Sequence, residues 1–355
     1  MGLSIGIMVI LFLSSEQQVH RNNAFTRRYP PHPIQKVYAL DLGFNSYYIA
    51  GFETDALFLA NHTAPRHLLQ IDLASQDTAH IKIDFQGKNL PYRSLKIALF
   101  PPYFFVMDGS APYVLKGTTK DWVAKPWIED AGYFMKGIPI DSNVIFLSTI
   151  DSRDQMTALG LLKKTDQTAL ELYPDVLTPQ IDGVFDVDGT IMFDPGSNTL
   201  GYSYFYRNEF LVLSPNLDSI NTLKSIDTVT VAQIQLATDS RTQASQMKAP
   251  PLTVNKTATL FQNLALINSP RLGRNEPSHM LMEASIIDVY NWQKDLYAFS
   301  FYLYDEGSKV KEFRLYKHWL VALMGSTVAV YRLDPKFFSI PINPTDNPKE
   351  KTTGQ

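Results

Sequence analysis

The chain has 355 residues, 45% of them hydrophobic and 19% charged, with a net charge of −3 and no cysteine. A compact protein of this length hides roughly 75% of the surface its unfolded chain exposes, which excludes global disorder. No basic footprint points to nucleic acid as the main partner, and the missing cysteine excludes disulfides, Cys-ligated zinc, iron–sulfur clusters and a thiol nucleophile.

Leu3 to Leu13 (LSIGIMVILFL) is a nearly unbroken apolar run. It is shorter than the about 17–25 residues that span a bilayer. Residues 1–15 therefore read as a signal-peptide h-region or a clipped signal anchor, which predicts a cell-envelope location, periplasmic or membrane-anchored. No Lys or Arg precedes the run and no A-x-A-like site follows it, so a buried N-terminal element is the competing reading. Residues 16–34 are polar, basic and proline-rich, which predicts an extended tether with Arg21, Arg27 and Arg28 solvated. Residues 341–355 predict a disordered tail.

Residues 35–340 predict a single all-β domain. Short runs of β-branched, aromatic and aliphatic residues are each closed by Asp, Asn, Gly, Ser or Pro, and long helical periodicity is nearly absent. One grammar recurs: an apolar strand, a turn, then a second strand ending in polar residues. Phe104 to Gly117 (FFVMDGSAPYVLKG) and Leu320 to Asp334 (LVALMGSTVAVYRLD) are its tightest copies. Looser ones are Leu57 to Leu73, Val144 to Lys163, Phe210 to Lys224, and Leu264 to Asn268 with Glu283 to Tyr290. Flanking strands such as Tyr47 to Phe52, Thr78 to Phe85 and Val229 to Leu236 extend each copy to a four-stranded antiparallel unit, repeated roughly every 40–60 residues.

This unit resembles a β-propeller blade. A lone four-stranded sheet cannot bury both faces, whereas sheets stacked around an axis bury them all and leave only short edges. About six blades follow, with an extra hairpin at Val184 to Asp194 as an insertion or a seventh blade. Gln35 to Leu42 has no blade of its own and predicts a strand that closes the last one. Tyr204 to Asn208 (YFYRN) and Ala284 to Tyr290 (ASIIDVY) resemble pieces of uncharacterised bacterial propellers of the TolB-like or NHL-like kind, a resemblance that implies no activity.

Few motifs suggest chemistry. Phe185 to Ile191 (FDVDGTI) matches the nucleophile loop of haloacid-dehalogenase-type phosphatases, with Asp186 as attacking group and Asp188 as acid/base. No βα alternation follows it, however, and Asp188-Gly189 between apolar residues predicts a hairpin turn. The seven histidines include no H-E-x-x-H pair, and neither a catalytic grouping nor a metal-ligand set is predicted. His62 and His67 flank a loop (NHTAPRH) that, with Arg66, is placed at one mouth of the channel. Two later loops carry Arg241, Lys248, Arg271 and Arg274 and form a candidate partner surface.

The predicted function is a non-catalytic, monomeric propeller that needs no cofactor and binds a protein or small ligand at a loop face. His62, Arg66, His67, Arg271 and Arg274 are its candidate contacts. The alternative is a propeller-type enzyme, a metal-dependent lactonase or a glycan-active hydrolase or lyase, whose ligands converge only in three dimensions.

Overall fold

The computed structural model describes residues 25–86, 93–129, 132–238 and 245–338. The apolar run at 3–13, the tail at 341–355, Arg21 and Arg241 lie outside the described residues.

Six four-stranded antiparallel sheets follow one another along the chain. Strand β1 (Ile34–Asp41) precedes the first blade, which comprises β2 (Tyr47–Glu53), β3 (Ala56–Asn61), β4 (His67–Asp72) and β5 (Thr78–Lys82). Blade two is β6 (Lys96–Phe100), β7 (Tyr103–Asp108), β8 (Tyr113–Thr118) and β9 (Lys125–Glu129). Blade three is β10 (Lys136–Asp141), β11 (Val144–Ile150), β12 (Thr157–Lys164) and β13 (Thr168–Tyr173). Blade four is β14 (Gly189–Asp194), β15 (Thr199–Tyr204), β16 (Glu209–Leu213) and β17 (Ile220–Lys224). A small hairpin of β18 (Leu236–Thr238) and β19 (Ser245–Met247) comes before blade five. That blade is β20 (Thr257–Phe261), β21 (Leu264–Ser269), β22 (Ala284–Asn291) and β23 (Leu296–Tyr304). Blade six holds β24 (Val310–Tyr316), β25 (Trp319–Met324) and β26 (Thr327–Leu333), and β1 supplies its fourth strand. The register runs from Ile34 opposite Leu333 to Asp41 opposite Thr327.

The core confirms the radial stacking. Its apolar side chains divide into six clusters, each spanning two neighbouring blades. Phe58, Phe104 and Val106 pack together between blades one and two, and Trp319, Val321, Leu57 and Leu59 join blade six to blade one. The middle of every sheet is thus buried on both faces, which is why the second and third strands read as continuous apolar runs rather than as an alternation. β3, β21 and β25 are buried at every position.

Close approaches between blades fix some glycines. A Cβ on Gly109, at the crest of the β7–β8 hairpin, would stand 1.8 Å from the carbonyl oxygen of Phe134. The Gly109 carbonyl in turn accepts the Phe134 N–H at 3.1 Å. Gly109→Ala should therefore lower stability by about 1–3 kcal/mol or more through overpacking; an unchanged urea midpoint would show that this contact is not tight.

Four expectations need correction. The stretch Val184 to Asp194 is neither an extra hairpin nor a seventh blade, because Gly189–Asp194 is the inner strand of blade four. The reading of blade four was displaced by one strand: Ile220–Lys224 is its outer strand, and Val229 to Leu236 makes no strand within the blade. Accordingly Asp188-Gly189 is not a hairpin turn; Gly189 begins β14, and the turn to β15 lies at residues 195–198. The predicted solvated tether is, from Phe25 onward, a strap across blade five. Phe25 is buried, the Arg27 side chain is fully buried, and the Ser300 N–H donates to the Arg28 carbonyl at 2.8 Å. Tyr29 stacks on Tyr302 with ring centroids 4.5 Å apart.

Candidate functional site

The inner strands β2, β6, β10, β14, β20 and β24 surround a central cavity of about 1120 Å³. Since each blade alternates direction, all six begin at one end of the channel. The connections between blades and the loops joining second to third strands lie at that same end.

Side chains from neighbouring blades cap inner-strand donors that the ladder leaves open. The Tyr48 hydroxyl accepts the Ile97 N–H at 2.7 Å, and Glu312 Oε2 accepts the Ile49 N–H at 3.1 Å. Burial pushes the Tyr48 phenol above its ordinary pKa range, so it remains a neutral hydroxyl. These contacts lock blade six to blade one and blade one to blade two directly beneath the mouth.

Three lysines open three of the inner strands: Lys96 in β6, Lys136 in β10 and Lys311 in β24. All three line the channel together with His62 and Glu312. Lys311 Nζ donates to the carbonyls of Asn45 and Tyr47 at 3.1 and 3.0 Å. Lys136 Nζ is bound by Asp188 Oδ1 at 2.6 Å and by the Gly189 carbonyl at 2.5 Å. Lys96 makes no hydrogen bond or ion pair among the described residues. Its side chain is wet but walled in by the channel. Desolvation holds its pKa below the ordinary value; Glu312 opposes this, and the Lys136 and Lys311 charges add to it. Glu312 is itself engaged by Arg314, whose Nη2 lies 3.3 Å from Oε1. Among the described residues, the mouth therefore carries an excess of positive charge.

His62 stands over the Tyr48 ring, with centroids 4.5 Å apart. Desolvation lowers its pKa, Lys96 and Lys311 lower it further, and Glu312 works in the other direction. The imidazole is neutral at pH 7 and gains a charge only in acid.

The opposite end is aromatic. Phe100 of blade two and Phe193 of blade four approach to 6.5 Å although blade three lies between their sheets, so the pair narrows the channel. Phe52 and Tyr316 stack at 4.8 Å beside them.

Of the candidate contacts read from the sequence, His62 alone faces the channel. Arg66 turns away, over the Phe85 ring at 4.9 Å, with Nε donating to the Ile83 carbonyl at 3.2 Å. His67 begins β4 and pairs with His80 across to β5 at 2.8 Å between ring nitrogens. Arg271 is buried, with Nε 2.5 Å from Asp227 Oδ2. Arg274 is exposed on the loop between β21 and β22. These five side chains do not form one site.

The phosphatase-like stretch is structural. Asp186 accepts backbone N–H groups from Gln180 at 2.5 Å, Asp182 at 3.1 Å and Gly183 at 2.7 Å. Burial opposes its charge, but these donors hold the carboxyl below its ordinary pKa. It pins the connection into blade four, while Asp188 holds Lys136. Asn61 and Asn255, which open the N-x-T triplets NHT and NKT, are both buried: Asn61 Oδ1 accepts the Thr63 N–H at 2.9 Å, and Asn255 Nδ2 donates to the Tyr204 carbonyl at 2.8 Å. No group of three or more His, Asp or Glu side chains is placed to hold a metal among the described residues.

The three lysines have a sequence signature visible in retrospect. Each stands first or second in an inner strand (LKIALF, KGIPID, VKEFRLY), where the chain enters the ring.

No family model matches the chain, and no curated protein does. Among solved structures it is similar to a member of the DUF4221 family from Bacteroides vulgatus, at 12% identity over 85% of this chain and 97% of that one, with a TM-score of 0.52. A chain of a nidogen/laminin complex (10% identity, 73% and 81% covered, TM-score 0.43) and the computationally designed Ika8 protein (8%, 84% and 100%, 0.43) are more distant in shape. At such identities the first likeness speaks for the fold alone.

Proposed function

We propose that the protein is a monomeric, non-catalytic binding propeller of the cell envelope, and that it takes an anionic group at the lysine end of its channel. The observation that carries this reading is Lys96, an ammonium facing two others with no partner among the described residues. An anion there would relieve the mutual repulsion of Lys96, Lys136 and Lys311 and gain three charge-assisted donors. The envelope location rests on the apolar run at 3–13, and cell fractionation tests it: recovery of the full chain with the cytosol would remove that part of the proposal.

Sulfate is a suitable probe because its charge is constant between about pH 5 and 8. In calorimetric titrations at low ionic strength, Lys96→Gln should weaken sulfate binding by at least about tenfold, or 1.4 kcal/mol. Equal affinities for the parent and variant chains would dismiss the site. The pH dependence has a definite sign. Bound sulfate favours protonated His62, so binding takes up a proton and affinity rises as the pH falls into the acid range where His62 gains its charge. His62→Gln should flatten that rise; a rise that persists would place its origin elsewhere.

A further inference from the structure

The channel changes character along its length. Beyond the lysines its wall is mixed: Ala98, Leu99 and Ile138 give it an apolar side, while Thr190, Thr259 and the Glu312–Arg314 pair line it as well. Ala98, Leu99 and Ile138 are only half-buried although they lie on inner strands, so their accessible surface faces the channel. At the far end the Phe100–Phe193 pair narrows the channel, and Asp194, Lys317 and His318 line that end too. Seen from the lysine mouth, the cavity has a cationic rim, an apolar side on blades two and three, and an aromatic floor on that side.

Apolar side chains are exposed at the lysine end of the ring as well. The four most exposed large apolar side chains of the described protein are Met282, Tyr133, Phe44 and Val231, at 74%, 67%, 64% and 59%. All four are carried by loops at the lysine end: Phe44 between β1 and β2, Tyr133 between β9 and β10, Val231 between blades four and five, and Met282 between β21 and β22. An aqueous anion such as free phosphate has no use for either feature. An amphiphile has use for both.

We infer that the ligand is an amphiphilic anion, a carboxylate or phosphate head on an apolar body, seated head-up with its body against Ile138, Ile191 and the Phe100–Phe193 floor. This rests on the anion-binding reading above and adds the class of molecule. Apolar burial and the ammonium contacts then act on the two ends of one ligand, and neither end alone binds well.

The test compares decanoate, acetate and decylammonium, each titrated calorimetrically below its micelle concentration at constant ionic strength. Decanoate should bind at least about tenfold more tightly than acetate, which lacks the body, and than decylammonium, which reverses the head charge. Lys96→Gln should abolish the preference for decanoate over decylammonium while its thermal melt stays that of the parent. Ile138→Thr, which shortens and wets the wall, should weaken decanoate several-fold and leave sulfate unchanged. Acetate binding as tightly as decanoate, or decylammonium matching it, would overturn the inference. Lys96-dependent sulfate binding with no gain for decanoate removes the amphiphile alone. Failure of sulfate and decanoate alike removes the anion site with it.

Discussion

A chain that begins at Gly43, and so lacks β1, should lose cooperative folding altogether. β1 is the outer strand of blade six, and through it the first and last parts of the sequence share one sheet. Without it the β26 edge is bare, and Tyr331 and Leu333 lose cover from a strand that also buries Tyr38. Each well-buried apolar side chain is worth about 1.5–3 kcal/mol, against a total stability of about 5–15 kcal/mol for a folded domain. The loss also removes ring closure, so blade six no longer holds blade one from both ends of the chain. Circular dichroism should show a broad, low-temperature transition, and limited proteolysis should cut within blades five and six. Re-attaching residues 25–41, strap and strand together, after residue 338 through a flexible linker should restore the melt. A truncated chain that melts in one transition at the parent temperature would refute the strand closure.

The second large effect is at Arg27. All five of its donors are occupied. Nε and Nη2 grip Asp288 at 2.6 and 3.0 Å, and Nη2 reaches Ser269 Oγ at 3.0 Å. Nη1 meets Glu276 at 2.7 Å and the Arg271 carbonyl at 3.0 Å. Burial works against the guanidinium charge, yet Asp288 and Glu276 outweigh it and keep the group protonated above its ordinary range. Glu276 also receives the Gly273 N–H at 2.7 Å and the Tyr29 hydroxyl at 2.7 Å, so the strap and blade five form one polar network.

Arg27→Ala should cost about 3–5 kcal/mol in urea unfolding, because two buried carboxylates lose their countercharge. Arg27→Lys should recover only part of this, since one ammonium cannot reproduce the two-pronged grip on Asp288. Adding Asp288→Asn to Arg27→Ala should cost less than the two single changes together. A loss below about 1 kcal/mol for Arg27→Ala would mean that the strap is dispensable. The two predictions concern one device: Arg27 fastens the N-terminal segment to blade five, and β1 then completes blade six.

The strand grammar was legible because the second and third strands of each blade are buried on both faces and must be apolar throughout. Tight turns such as Gly109-Ser110 and Gly325-Ser326 marked the hairpins between them. Outer and inner strands were harder to see. In β17 only Leu223 is buried, and β10 carries Pro139, which an inner strand tolerates because one of its edges faces the channel rather than another strand. These weak patterns account for the one-strand displacement in blade four. Arg27 was read as solvated because its neighbours are polar, while its partners lie 242 to 261 positions away. The lysine mouth is hard to see for the same reason: Lys96, Lys136 and Lys311 share a position at the start of their strands but no common spacing, and they meet only when the ring closes. His62 was accessible to sequence reasoning because its loop follows the second strand of a recognisable blade.

Selenate soaked into crystals of the protein gives the most direct test of the anion site, since its anomalous scattering locates it without reference to any assumed ligand. The account predicts a peak within hydrogen-bonding reach of Lys96 Nζ, between Lys136 and Lys311, that disappears in Lys96→Gln crystals. Selenate bound at outer-surface lysines and arginines with none at the channel mouth would contradict it.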